Sequence, residues 1–183
     1  MKKETKQISA GKKLCILFFI IALLFAIINI AWLVCVHLPY THYCSKLEFF
    51  EEDGEKYYST VVDDYLYSVR KPGYMDFTGL LIIGDKDGSW ISYDNEGNVI
   101  GTSDLYIELN IIPDIWGNYT YRLWFNDEIS GLDTFVYIDD NFKYIPSETA
   151  SEETINKKTM LVSDNLEEIQ QLVFAAKDFW ELT

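Results

Sequence analysis

Residues Leu14 to Val36 read LCILFFIIALLFAIINIAWLVCV, an apolar run of 23 residues with no charge and a single amide, Asn29. Coiled as a helix at about 1.5 Å per residue the run is roughly 34 Å long, enough to cross a hydrocarbon core of about 30 Å with some tilt. The expectation is a transmembrane signal-anchor helix. A cleaved signal peptide has a shorter apolar region followed by small residues, whereas Trp32, Leu33 and Val34 occupy the place of the cut.

Charge is distributed very unevenly about this run. Residues 1–13 hold five lysines against Glu4, a formal +4, so that the remainder carries −18 of the chain's net −14. Beyond the run only Lys46 and Lys56 occur in the first twenty residues. The positive-inside rule then predicts a cytoplasmic basic tail (1–13), a single-pass span (14–36), a juxtamembrane linker (37–46) opened by Pro39 as it ends the helix, and an extracytoplasmic domain (47–183). A domain this acidic repels phosphate backbones, so nucleic acid is excluded as a partner class. The cysteines, Cys15, Cys35 and Cys44, all lie in or beside the run, and the domain has no disulfide framework of its own.

Type IV pilins also join an apolar N-terminal helix to a β-rich head. Their motif is missing, because Gly11 is followed by Lys12 and Lys13 and no acid enters the run.

Within the domain, Phe77–Ile83, Trp90–Tyr93, Leu105–Ile112, Tyr119–Phe125 and Thr134–Ile138 are rich in β-branched and aromatic residues and are separated by GDKDG, DNEGN, PDIWGN and NDEISG. Leu105, Ile107, Leu109 and Ile111 alternate with Tyr106, Glu108 and Asn110, the period of a sheet with one buried face. Tyr119, Tyr121, Leu123 and Phe125 likewise alternate with Thr120, Arg122, Trp124 and Asn126. The segment VVDDYLYSVRKPG fits either a short helix or an extended stretch. SETASEET, after Pro146, reads as an exposed loop, and from Asp164 as N-cap an apolar stripe (Leu166, Ile169, Leu172, Val173, Ala176, Phe179, Trp180) predicts a C-terminal helix. The predicted fold class is α+β, an antiparallel β-meander with that helix packed on one sheet face.

The chemistry-bearing motifs fail on inspection. Asp85, Asp87, Ser89 and Glu96 match positions 1, 3, 5 and 12 of an EF-hand loop, but Trp90 stands where its glycine is needed, so a hairpin turn is the better reading. His37, His42 and Cys44 lack a zinc spacing and a fourth ligand. With no His or Cys after residue 44 there is neither a base for a serine nucleophile nor a thiol. No catalytic residue, metal or cofactor is therefore expected.

The leading expectation is a non-catalytic, membrane-tethered binding module that meets a surface protein or a glycan through aromatic contacts, with Tyr106, Trp116, Tyr121 and Trp124 as candidates. The alternatives are a membrane-anchored carboxylate-based hydrolase, which requires paired acids in a pocket, and a membrane-complex subunit recognised through Asn29 in its span.

Overall fold

In the computed structural model, which describes residues 10–52, 55–86, 105–127 and 130–182, the apolar run forms α1 (Ala10–Trp32). The helix does not stop at Pro39. It passes through a five-residue π-helical segment (Leu33–His37) into α2 (Leu38–Cys44). Proline removes an N–H and crowds the carbonyl four residues back, and the wider π turn relieves both problems: Leu38 N–H reaches back to Leu33 O. Thr41 Oγ1 donates to His37 O at 2.7 Å, satisfying a carbonyl near the distortion. The stretch expected as a linker is thus helical to Cys44, and the long apolar helix enters the domain as one rod.

Among the described residues seven strands then form a single antiparallel sheet in strict sequence order: β1 (Glu48–Glu52), β2 (Glu55–Val62), β3 (Tyr65–Arg70), β4 (Leu80–Asp85), β5 (Tyr106–Pro113), β6 (Tyr119–Asp127) and β7 (Leu132–Ile138). The ambiguous VVDDYLYSVRKPG segment is the β2–β3 hairpin. Val62 pairs with Tyr65 across a two-residue turn in which Asp63 and Asp64 both take positive φ (50° and 71°), the backbone of a type I′ turn. The strand expected from Phe77 starts only at Leu80, because residues 71–79 leave the sheet to meet the helical rod. The expected strand Trp90–Tyr93, and Asp87, Ser89 and Glu96 of the EF-hand-like match, lie outside the described residues.

Two helices close the chain. The SETASEET stretch is not wholly loop: Ser151 caps α3 (Glu152–Asp164), its Oγ accepting from Thr154 N at 3.2 Å. Asp164 therefore ends a helix rather than capping the next one, and Asn165 alone separates α3 from α4 (Leu166–Trp180).

The apolar stripe of α4 packs on the sheet as expected. Ile169, Leu172, Val173, Ala176 and Trp180 are buried with Tyr67, Leu81, Ile83, Leu109, Ile111, Tyr121, Leu123, Phe125, Val136 and Ile138. Val36, Tyr40 and Cys44 of the rod join the same core. The Tyr67 ring stacks on Phe179 at 4.0 Å and meets Trp180 edge-on at 5.5 Å; burial, with the negative charge of nearby acids, pushes its hydroxyl up to about 12. Lys46, just past α2, donates at 2.7 Å to Phe179 O and to Glu181 Oε1, where a cation complements the C-terminal end of α4. Cys15, Cys35 and Cys44 are free thiols, and Cys44 is buried.

Candidate functional site

Directly paired residues of an antiparallel sheet point to the same side, so the register defines the face turned away from α4. Tyr106 pairs with Asn126, Glu108 with Trp124, and Asn110 with Arg122, while on the next strand Trp124 pairs with Phe135 and Arg122 with Tyr137. Their side chains form a connected aromatic and charged surface. Tyr106 meets Trp124 edge-on at 5.8 Å, Trp124 stacks with Phe135 at 6.2 Å, and the Arg122 guanidinium lies 4.7 Å from the Phe135 ring centre.

Polar contacts fix these rings. Trp124 Nε1 donates to Asp133 Oδ1 at 2.7 Å, Asn110 Nδ2 donates to Glu108 Oε1 at 2.8 Å, and Arg122 Nη2 donates to Asn110 Oδ1 at 3.3 Å. Tyr106 also hydrogen-bonds Glu108. Burial raises the Glu108 carboxyl above its ordinary range, opposed by the Asn110 hydrogen bond, the Arg122 charge and the Tyr106 hydrogen bond. Burial next to that carboxylate raises the Tyr106 hydroxyl as well. Arg122 Nε is buried without a hydrogen-bond partner among the described residues. Phe135 and Tyr137 remain 47 % and 41 % exposed.

Of the four residues predicted as contacts, Tyr106 and Trp124 sit together in this cluster. Tyr121 does not: it is 4 % exposed in the core beneath α4, with Lys177 Nζ 5.7 Å from its ring. The alternation that puts Trp124 on one face puts Tyr121 on the other, with Leu123 and Phe125. Trp116 is 83 % exposed but lies on the β5–β6 turn, off the sheet face. Glu108, Arg122, Phe135 and Tyr137 belong to the cluster and were missed, although Glu108 and Arg122 fall on the same alternate positions as Tyr106 and Trp124; Phe135 and Tyr137 join it through the β6–β7 register.

A second feature is a recess of about 310 Å³ where the rod meets the sheet end, between Val34–Tyr43, Phe77 and the β5–β6 turn. Its one carboxylate, Asp114, is held below the usual range by hydrogen bonds from Asn118 and from the Trp116 and Gly117 amides. Among the described residues, the carboxyls of Glu108 and Glu168 are raised by burial, and they stand on opposite sides of the sheet. A carboxylate hydrolase needs two acids in one recess, and the recess at the rod holds one.

Asn29, the amide of the span, is partnered within the chain. Its Nδ2 donates to Phe25 O at 2.8 Å and its Oδ1 accepts from the Tyr74 hydroxyl at 2.5 Å. Comparison with known proteins finds no matching family model, no similar curated protein and no similar solved structure.

Proposed function

We propose that the protein is a single-pass tether that carries a non-catalytic binding domain on the extracytoplasmic side of the cell membrane and engages a protein or glycan partner through the sheet face around Trp124. The single N-terminal apolar helix supports the anchor, and five lysines before it against two soon after support the orientation. The observation that carries the binding reading is the Tyr106, Trp124, Phe135 and Arg122 cluster. It combines aromatic rings, two of them (Trp124 and Tyr106) held by hydrogen bonds, with a cation, the composition of interaction hot spots. Recognition through Asn29 is disfavoured, because both ends of its amide are already bonded.

Site-specific photocrosslinking in intact cells tests this. A photoreactive phenylalanine analogue at Tyr137 should give a discrete adduct, weakened by Trp124→Ala, while the same analogue at Phe174, exposed on α4, should give none. Equal labelling at both positions, or protease accessibility of the N-terminal tail with the domain protected in intact cells, would overturn the reading.

A further inference from the structure

The meander places alternate connections at opposite ends of the sheet. The β3–β4 loop (71–79) and the β5–β6 turn lie at the end where α1 emerges; the β2–β3 turn lies at the far end. Both ends carry acids, but their apolar groups differ in size: the far end has Asp63, Asp64 and Asp85 with Val61, Val62 and Leu66 exposed, and the near end has Asp76, Asp114 and Asp140. The near end exposes Tyr74, Phe77, Ile115 and Trp116, at 66 %, 41 %, 46 % and 83 % of their surfaces.

The depth of the near end is set by contacts to α1. Tyr74 bonds Asn29, and Trp32 Nε1 donates to Asp76 O at 3.0 Å, with the Trp32 and Tyr74 rings edge-on at 5.2 Å. Counted from Lys13 at about 1.5 Å per residue, Asn29 is roughly 24 Å and Trp32 roughly 28 Å up the helix, both within a hydrocarbon core of about 30 Å. A loop bonded to these residues cannot stand clear of the lipid.

We propose, building on the tether assigned above, that the near end of the domain is a membrane seat: Trp116 and Ile115 on the β5–β6 turn, with Phe77 and Tyr74 on the β3–β4 loop, occupy the outer head-group layer around the emerging helix. Amphipathic rings favour this layer. The turn is built to hold Trp116 outward. Asp114 Oδ1 accepts from Trp116 N at 2.7 Å and Asn118 N at 2.9 Å, Asp114 Oδ2 accepts from Asn118 Nδ2 at 2.8 Å, and Gly117 supplies the positive φ of 86°. The acids nearest these rings are engaged by donors: Asp76 is likewise bonded by Thr78 through N and Oγ1 at 2.8 and 2.6 Å, and Asp139, just past β7, accepts from Asn141 N and Lys143 N, while Glu52 and Glu55 stand at the same end on the β1–β2 edge of the sheet. Arg70 and Lys71 stand at the same end, placed to meet lipid phosphates. Leu33, Val34 and Leu38, about half exposed on the rod, are covered by lipid in the same arrangement.

The test uses the full chain in phosphatidylcholine vesicles, with tryptophan emission compared between the unaltered protein, Trp116→Phe and Trp32→Phe. The emission lost in Trp116→Phe should be blue-shifted, shielded from aqueous iodide, and quenched more by lipids brominated high on the acyl chain than by lipids brominated near its end. The emission lost in Trp32→Phe reports the anchor separately. If the Trp32 share is quenched by brominated lipid while the Trp116 share is quenched only by iodide, the tether stands and the seat is wrong. If neither share responds to brominated lipid, the tether falls and the seat with it.

Discussion

The ring of Tyr40 lies against the backbone of Gly79, so closely that a Cβ at residue 79 would overlap the phenol. This contact joins the helical rod to the start of β4, and the chain at 79 has room for glycine only. Gly79→Ala should destabilise the protein by about 1–3 kcal/mol, as overpacking of a filled site does. The penalty should largely vanish in the Tyr40→Ala background, since the two residues share one contact. Thermal melting of the four proteins in detergent checks both statements.

The Glu108 carboxyl predicts a pH dependence with a defined sign. Its folded-state affinity for a proton is raised by burial above that of the unfolded chain. Folding therefore takes up a proton, and the contribution of this group to stability is greatest below the ordinary glutamate range and is lost as pH rises through the raised folded value. Glu108→Gln should accordingly raise the melting temperature at pH 7 relative to the unaltered protein, with a smaller difference at pH 4. A larger gain at pH 4 would refute the assignment.

Two tryptophans should respond oppositely to truncation. Trp180 is 1 % exposed against Tyr67 and Phe179, and Trp180→Ala should cost about 3–5 kcal/mol. Trp116→Ala, on an 83 % exposed ring, should change stability by no more than about 0.5 kcal/mol in solution. Denaturant titration in the same detergent measures the contrast.

Lys46 ties the end of the rod to the end of α4. Lys46→Met should cost about 0.5–1.5 kcal/mol through the lost bond to the Phe179 carbonyl, and should speed hydrogen exchange in the last turn of α4. Glu181→Gln should leave melting unchanged, because Glu181 is exposed to water and screening removes most of the value of its ion pair.

Where one physical rule dominated, the sequence was legible. The long N-terminal apolar helix followed from an uncharged run, and β5 and β6 from strict alternation, because Ile107, Leu109, Leu123 and Phe125 face the core while Glu108 and Arg122 do not. Two adjacent aspartates in place of a glycine-containing turn hid the β2–β3 hairpin. The helix α3 was invisible because among its residues only Val162 is buried, so no apolar period marks it. Pro39 misled in the opposite sense: its local rule favours a break, and packing of Val36, Tyr40 and Cys44 into the core overrides it. The candidate site was half legible. Alternation separated Trp124 from Tyr121, but only the position of α4 shows which side is buried, and contact between Arg122 and Phe135 on neighbouring strands depends on a register that spacing does not reveal.

The unbroken passage from α1 through the π segment to α2 gives the molecule a rotational phase. At 3.6 residues per turn, inserting or removing one residue between Trp32 and Leu38 turns everything above it by about 100° relative to everything below. The azimuth of the domain about the span is therefore written in residue count along the rod, as the angle of a key is set by its shaft. Whatever fixes the rotation of α1 about its own axis, such as a neighbouring helix, also aims the Trp124 face in a fixed direction.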